Sequence, residues 1–269
     1  MSSIEAVIFD WAGTMIDFGS HAPMGVFVEL FRRNGLKVSV AEARVPMGLP
    51  KRAHIAAMLA QPRIAAAWQS AFGAASTEVD IDRLYAEFGP MNVAVAAQFA
   101  DLVPGALPII ERLKADGVKI GSTTGYTRAI IEQVLPVAAA QGYAPEVVVC
   151  ADDLPEGRPG PMMMHHCFKT LGLADPTRVV KVDDTEPGIA EGLAAGTWTV
   201  GVAVSGNAVG LTVAAWNALS PAAQVELRRA ASQKLFEAGA HFVVDTVMDL
   251  LPVLDTIRGK IAAGHTPAP

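Results

Sequence analysis

Short apolar runs alternate along this chain with longer segments of helical periodicity. The runs are nearly continuous in valine, isoleucine and other apolar residues, as expected of strands that are buried on both faces. We predict strands at 6–9, 118–122, 146–149, 179–182, 198–202 and 242–244. Helices are predicted at about 106–116, 127–141, 161–171, 187–195, 214–238 and 247–261. The alternation predicts an α/β fold in which helices cover a parallel sheet.

A long segment interrupts this alternation after the first strand. A crossover between parallel strands normally contains one helix, whereas 19–102 has the pattern of several amphipathic helices. Glycine and proline mark the points where this segment begins and ends. We therefore predict a core domain formed by 1–19 and 102–269, and an inserted α-helical cap domain formed by 20–101.

The composition excludes several classes of partner. Charged residues make up 18% of the 269, the net charge is −6, and no basic run is long enough to follow a nucleic-acid backbone. Two cysteines, Cys150 and Cys167, are too few for a disulfide framework and lack metal-ligand spacing. The N-terminus lacks the basic region of a signal peptide, and polar residues interrupt the uncharged stretch 192–225. We expect a soluble, cytoplasmic protein that binds neither nucleic acid nor membrane.

Polar residues suited to phosphoryl chemistry follow four of the predicted strands. Asp10 ends the first strand, and Ser-Thr-Thr-Gly at 122–125 ends the second. Arg158 follows the third, and Asp183 and Asp184 follow the fourth. The carboxyl ends of parallel strands form the ligand-binding edge of an open sheet, so these groups should converge. Carboxylates suit a hard divalent cation, while turn amides and a cation suit a phosphoryl group.

Four segments carry a resemblance to a known superfamily. IFDWAGT, IGSTTG, GRPGP and KVDDT resemble, in this order, the four motifs of the haloacid dehalogenase superfamily. The resemblance implies a Rossmann-like core and an Asp10 nucleophile that forms an aspartyl-phosphate. It also implies Mg²⁺ held by Asp10 and Asp184, and a phosphoryl group bound by Thr124, Gly125 and Arg158.

One departure narrows this resemblance. Phosphatases of the superfamily usually carry a second aspartate two positions after the nucleophile, which protonates the leaving oxygen, and this chain has Ala12 there. The cap segment PMGLPKRAH at 46–54, together with IGSTTGYTR and GAHF, is similar to the phosphonatase family. The similarity extends from about residue 4 to beyond 245. It implies that Lys51 forms a Schiff base with the aldehyde of phosphonoacetaldehyde, a small phosphonate.

An imine explains how a C–P bond could break without an acid on the leaving group. The imine at Lys51 accepts the electrons of the C–P bond, so the carbon group leaves as an enamine. The products are then acetaldehyde and phosphate. Such a lysine must lose its proton near neutral pH, which burial or a nearby cation provides. By resemblance, the Ala12 carbonyl contacts the Mg²⁺, His54 and Tyr126 move protons, and Met47 lines the pocket.

Two further positions differ from the family pattern. Some members have an acidic residue four positions after Asp184, where this chain has Gly188. The metal shell would then use water or Asp183, although we expect Asp183 to be a cap or turn residue. Arg158 stands where many superfamily members have lysine, and its fork can contact two phosphoryl oxygens.

Three functions are compatible with these residues. The leading hypothesis is Mg²⁺-dependent hydrolysis of phosphonoacetaldehyde in the degradation of 2-aminoethylphosphonate. The alternative is a generic Mg²⁺-dependent phosphatase or phosphomutase of the superfamily that acts on a sugar phosphate, against which Ala12 argues. A non-catalytic binding protein is the third, and the intact Asp10, Arg158 and Asp184 argue against it. The resemblance also predicts a homodimer that pairs through the cap domain.

Overall fold

The computed structural model describes residues 4–267 and contains a six-stranded parallel sheet. The strands are β1 (Ala6–Phe9), β2 (Lys119–Thr123), β3 (Val147–Val149), β4 (Val179–Asp183), β5 (Trp198–Val202) and β6 (Phe242–Val244). Their order across the sheet is β3-β2-β1-β4-β5-β6, and every neighbouring pair is parallel. This is the order of a doubly wound Rossmann fold, so the predicted fold class is confirmed.

Both faces of the sheet are covered, which explains why its strands lack a polar face. Alternate side chains of β1 belong to different hydrophobic clusters: Val7 and Phe9 pack on one side, and Ala6 and Ile8 on the other. All four are fully buried. A strand in this position gains stability from apolar residues at every position, and its sequence is therefore a continuous apolar run.

Twelve α-helices occur within residues 4–267. They are α1 (Ala22–Arg33), α2 (Val40–Arg44), α3 (Lys51–Ala60), α4 (Pro62–Phe72), α5 (Glu78–Ala96), α6 (Ala106–Ala115), α7 (Arg128–Ala140), α8 (Met162–Leu171), α9 (Glu186–Ala194), α10 (Val213–Asn217), α11 (Pro221–Glu237) and α12 (Leu250–Ala262). In the part of the chain that the structure describes, none of them is both long enough and apolar enough to span a membrane.

Two predicted helices are wrong in detail. The predicted helix at 214–238 is two helices, α10 and α11, because Ser220 starts a new one: its hydroxyl accepts a hydrogen bond from the Ala223 N–H, and Pro221 occupies the first helical position. The predicted helix at 247–261 begins with a 3₁₀ turn, Val247–Asp249, before α12. The other predicted strands and core helices end within a single residue of the observed bounds.

Helices α1 to α5 pack around a hydrophobic cluster of their own. Its fully buried members include Phe27, Phe31 and Phe88, and none of the cluster belongs to the sheet. The chain leaves and re-enters the core along one path: the Asp17 N–H donates to the Asp101 carbonyl over 3.1 Å. We infer from this packing that α1 to α5 form the inserted cap. Its boundaries at 20 and 101 remain a prediction.

Candidate active site

Three buried aspartates meet where the strand order changes direction, between β1 and β4. Asp10 directly follows β1, Asp183 is the last residue of β4, and Asp184 follows it. Their carboxylate oxygens lie within 4.8 Å of one another. The Asp10 N–H donates to the Val182 carbonyl over 3.0 Å, which continues the pairing of the two strands and fixes this approach. Such switch points are where open α/β sheets bind their ligands.

Residues of two loops, one after β1 and one after β5, hold Asp184 in one orientation. The Thr14 hydroxyl donates to its Oδ1 over 3.2 Å, and the Asn207 N–H donates to its Oδ2 over 2.7 Å. Gly13 has a φ of +84°, and a Cβ at this position would lie 2.4 Å from Asp184 Oδ2. Only glycine allows the loop to approach this closely.

The pKa values of the three carboxyl groups are shifted in different directions. Burial, and then the neighbouring Asp183, raises the pKa of Asp10 to about 6. Burial also raises the pKa of Asp184 well above its usual value, and Asp10 adds to this effect. For Asp183 burial acts in the same direction, but Arg158 and Lys181 outweigh it and lower its pKa. Buried carboxylates that repel one another are a donor set that a divalent cation stabilises, so Asp10 and Asp184 fit a Mg²⁺ ion.

Arg158 contacts acidic residues from three different elements. Its Nη2 donates to Asp10 Oδ1 over 2.8 Å and lies 3.1 Å from Asp183 Oδ2. Its Nε donates to Glu191 Oε2 over 3.1 Å, and Nη2 also donates to the Thr123 carbonyl over 2.8 Å. The side chain is only 2% exposed. These partners hold the guanidinium in the plane that faces Asp10.

Sequence analysis missed two charged residues that support Arg158. Lys181 lies in the middle of β4 and Glu191 in α9, and both are fully buried. Lys181 Nζ lies 3.0 Å from Asp183 Oδ2 and 3.2 Å from Glu191 Oε2. The signal was present, because a lysine within the apolar run VVKVD must find a charged partner when it is buried.

The carboxylate of Asp183 packs directly against Gly188, where there is no side chain. Asp183 Oδ1 accepts hydrogen bonds from the Thr185 N–H over 3.1 Å and from its hydroxyl over 2.8 Å. A Cβ at position 188 would lie 2.0 Å from Asp183 Oδ2, so no side chain fits there. An acidic residue at position 188 is therefore excluded in this chain. Because Asp183 Oδ2 also lies within 3.1 Å of Arg158 Nη2 and 3.0 Å of Lys181 Nζ, two cations of the protein offset its charge, and its contacts favour a structural role.

A small cavity lies between the strand ends and the helical insertion. The core contributes Asp10, Ala12, Thr124, Gly125, Tyr126, Arg158 and Thr185 to its wall, and the segment 20–51 contributes Ser20, Pro23, Met47, Gly48 and Lys51. Every residue predicted for the site lines this cavity except Asp184 and His54. Asp184 lies beside Asp10, and His54 is one helical turn from Lys51.

Lys51 is the first residue of α3 and is 4% exposed. Its Nζ lies 5.4 Å from the ring centroid of Tyr126 and 6.0 Å from that of Phe27. Burial lowers the pKa of Lys51 to about 8, and the nearby Asp10 opposes this shift. The amine is therefore poised to lose its proton close to neutral pH.

His54 is fully buried one turn after Lys51, stacked on Phe27 with the ring centroids 4.0 Å apart. Its Nε2 lies 2.8 Å from the Ala43 carbonyl. Because a carbonyl only accepts, Nε2 carries the proton and Nδ1 carries the lone pair. Burial, and then the charge of Lys51, lowers the pKa of His54 to about 3. The imidazole is therefore neutral, and its Nδ1 has no hydrogen-bond partner among residues 4–267.

Thr124, Gly125 and Tyr126 form the turn after β2. The Thr124 hydroxyl accepts a hydrogen bond from the Tyr126 N–H over 3.1 Å, which leaves its proton available to a ligand. A Cβ on Gly125 would lie 3.5 Å from the Leu49 carbonyl, so the turn lies directly beneath the helical insertion. Burial raises the pKa of Tyr126 well above its usual value, and its phenol stays protonated.

A second group of possible metal ligands lies outside this cavity. Atoms of Cys150, Asp152 and Asp153 come within 4.8 Å of one another, although their spacing in the sequence did not indicate a site. Burial raises the pKa of the Cys150 thiol to about 12, and Asp153 forms an ion pair with Arg128. A protonated thiol and a paired carboxylate make this group a poor metal site.

Comparisons with known proteins agree with this geometry. Residues 4–196 match the haloacid dehalogenase-like hydrolases. The phosphonoacetaldehyde hydrolase of Paraburkholderia phytofirmans is 49% identical, over 99% of this chain and 100% of the relative. The protein of the same name from Klebsiella pneumoniae is 48% identical, again over 99% and 100%.

Solved structures give the same result. A phosphonoacetaldehyde hydrolase-like protein from Oleispira antarctica superposes with a TM-score of 0.96 at 47% identity, over 98% of this chain and 96% of that one. A β-phosphoglucomutase from Clostridium difficile, at a TM-score of 0.68 and 17% identity, over 97% of this chain and 99% of that one, shares the fold alone. This chain belongs to the haloacid dehalogenase-like hydrolases and, within them, to the phosphonoacetaldehyde hydrolase family.

Proposed function

We propose that this hydrolase cleaves the C–P bond of phosphonoacetaldehyde and releases acetaldehyde and phosphate. The observation that carries the proposal is that Lys51, a buried amine with a lowered pKa, and Asp10, a buried carboxylate, line the same cavity. In a phosphatase this lysine would only bind phosphate, and a lowered pKa would not help it to do so. The names of the relatives at 48–49% identity support the same substrate.

Substrate binding is proposed to use the turn after β2 and Arg158. The phosphonate would accept hydrogen bonds from the Thr124 hydroxyl and the Gly125 N–H, while the guanidinium offsets its charge. Arg158 is already held on Asp10, so the phosphorus would lie next to the carboxylate. Met47 and Tyr126 would close the cavity around the two-carbon aldehyde.

Imine formation is proposed as the first chemical step. With a pKa of about 8, roughly a tenth of the Lys51 amine is neutral at pH 7, against about one part in three thousand for a free lysine. The neutral amine attacks the aldehyde carbon and releases water. By resemblance, we assign the proton transfers of this step to His54, one helical turn from Lys51, and to the phenol of Tyr126, which lines the cavity.

C–P cleavage then follows from attack by Asp10. Arg158 occupies Oδ1, so Oδ2 attacks the phosphorus and forms the aspartyl-phosphate. The electrons of the C–P bond move to the iminium nitrogen, and an enamine forms on Lys51. Protonation and hydrolysis of the enamine release acetaldehyde, and water releases phosphate from Asp10. The net reaction consumes one water.

Asp10 and Asp184 would hold the Mg²⁺ ion, with the Ala12 carbonyl as a further ligand by resemblance. The ion supplies positive charge that offsets the phosphoryl oxygens and the nearby carboxylates. Asp183 contributes indirectly, because it holds Arg158 and Lys181.

The test is release of acetaldehyde and phosphate from phosphonoacetaldehyde, with and without Mg²⁺, by wild type and Lys51→Arg. The guanidinium cannot form an imine, so we expect turnover to fall by several orders of magnitude in the variant. Borohydride with substrate should label Lys51 in wild type. Hydrolysis of sugar phosphates without labelling, and with Lys51→Arg fully active, would instead support the phosphatase alternative.

Pairing through the cap is also proposed. A groove of about 640 Å³ runs between α1 and α5, with an apolar wall that includes Val26, Met91 and Val95. A second copy of this chain would cover it. Light scattering should give twice the chain mass of 28.2 kDa, and Met91→Glu should reduce it toward the monomer value.

A further inference from the structure

The guanidinium of Arg44 joins the helical insertion to the core. Arg44 is the last residue of α2, and its Nη1 donates to the Gly19 carbonyl over 2.6 Å and to Asn207 Oδ1 over 3.1 Å. Its Nη2 donates to the Gly210 carbonyl over 3.2 Å. These acceptors come from the linker before α1 and from the loop after β5. The Arg44 side chain thus binds both the linker that leads into the helical insertion and the core loop after β5.

The surrounding backbone leaves room for this side chain. Gly210 has a φ of +63°, and a Cβ there would lie 2.6 Å from Arg44 Cζ. Two of the acceptors, the Gly19 and Gly210 carbonyls, are backbone oxygens, so their directions are fixed by the backbone. A planar guanidinium satisfies several such acceptors at once, which a lysine cannot do. The contact is therefore specific for arginine.

Arg44 is connected to both halves of the site. Its carbonyl accepts a hydrogen bond from the Met47 N–H over 3.1 Å, at the start of the loop that ends at Lys51. The same carbonyl accepts one from Asn207 Nδ2 over 3.3 Å. The Asn207 N–H in turn donates to Asp184 Oδ2 over 2.7 Å. The Arg44 carbonyl is thus bound to Met47, in the loop before Lys51, and through Asn207 it is connected to Asp184.

The loop between Arg44 and Lys51 lies directly on the core. Gly48 has a φ of +91°, and a Cβ there would lie 2.5 Å from Thr185 Oγ1. The loop has few other polar anchors, since it contains Val45, Pro46 and Leu49.

We infer that Arg44 is a positioning residue that fastens the loop 45–50 to the core. It thereby keeps Lys51 enclosed above Asp10, and it also keeps Asn207 hydrogen-bonded to Asp184. Its catalytic consequence rests on the proposed function. Its consequence for the burial of Lys51 does not, and the two are tested separately.

The first test measures the enclosure of Lys51 without substrate. Reductive methylation followed by peptide mass spectrometry gives the rate at which each lysine is modified. We expect Arg44→Ala to raise the rate at Lys51 at least tenfold, while the rate at the exposed Lys37 stays constant. The matched control is Arg63→Ala, because Arg63 binds Glu42 and the Lys37 carbonyl within the same helical insertion.

Two further variants separate a lost contact from a misfolded cap. Asn207→Ala removes the Oδ1 acceptor from the core side, keeps the N–H that binds Asp184, and should raise labelling of Lys51 in the same direction. Millimolar guanidinium should restore protection in Arg44→Ala by filling the vacated position, whereas urea should not. If both variants keep Lys51 within twofold of the wild-type rate, the inference is wrong.

The kinetic test uses phosphonoacetaldehyde. We expect Arg44→Ala to lose about a hundredfold in kcat with a smaller change in KM, because misplaced catalytic groups slow the chemical step. Arg63→Ala should retain wild-type values. A variant with unchanged kcat would overturn the catalytic part of the inference. If wild type itself does not turn over this substrate, the proposed function fails, while the labelling rates still decide the role of Arg44.

Discussion

Arg158 Nη2 donates a hydrogen bond to Asp10 Oδ1 over 2.8 Å, so the proposed nucleophile is in direct contact with the cation proposed to bind the phosphoryl group. Glu191 and Asp183 hold the rest of the guanidinium, which therefore cannot turn away. The arrangement directs one carboxylate oxygen of Asp10 toward the cavity. It also offsets part of the negative charge at the strand ends.

Arg158→Lys tests this geometry while preserving the charge. A lysine cannot contact Asp10, the Thr123 carbonyl and Glu191 together, so we expect kcat/KM to fall by at least about a hundredfold. The affinity for inorganic phosphate, measured by calorimetry, should fall as well. Wild-type phosphate affinity in the variant would show that the fork is not needed.

Lys51→Met is expected to stabilise the metal-free protein at pH 7. The folded pKa of Lys51, about 8, lies below the usual lysine pKa of 10.5, so the unfolded state binds more protons between these values. Stability contributed by this group therefore rises with pH from about 8 to about 10.5, and below pH 8 the full penalty applies. The penalty is at most about 3 kcal/mol.

Urea unfolding at pH 7.0 and at pH 9.5 checks this sign. The free-energy difference between Lys51→Met and wild type should shrink at the higher pH. Lys37→Met, at an exposed lysine, is the matched control and should show no such trend. A methionine variant that is less stable than wild type at pH 7.0 would mean that the amine is not buried as described.

Asp183→Asn and Asp184→Asn should have opposite effects on the metal-free protein. Asp184 has a raised pKa, so its charge is unfavourable when folded, and Asn should increase stability at pH 7. Asp183 is paired with Arg158 and Lys181, and its loss leaves buried cations that cost about 3–5 kcal/mol.

Calorimetry with Mg²⁺ completes this comparison. Asp184→Asn should lose at least tenfold in affinity, because an amide is a neutral and poorer ligand for a hard cation. Asp183→Asn should lose less, provided that it is measured at a temperature where it is folded. The reverse order of affinities would identify Asp183 as the ligand.

Ala12→Asp should not accelerate C–P cleavage. The proposed enamine leaving group has no oxygen to protonate, so an added acid has no role in that step. The variant should gain weak hydrolysis of p-nitrophenyl phosphate, and Ala12→Asn, of equal size without an acid, should not. Faster release of acetaldehyde by the aspartate variant would contradict the imine mechanism.

The sequence alone determined the sheet and the place of its reactive edge. A run such as Trp198–Val202 is apolar at every position and bounded by turns, so its conformation and burial follow from neighbouring residues. The same holds for Asp10 and Asp184, because parallel strands bring their carboxyl ends to one edge. The break before α11 also has a local signal, a Ser220 cap followed by Pro221, although the sequence analysis predicts one continuous helix there.

Only the tertiary structure decided the electrostatics. The lowered pKa of Lys51, the proton position on His54 and the buried group of Lys181 and Glu191 each depend on side chains from elements far apart in the chain. The contacts of Arg44 with Gly19 and Gly210 are of the same kind. Periodicity indicates which face of a strand or helix is buried. The pKa of a charged group depends instead on which residues exclude water from it, and those residues come from distant parts of the chain.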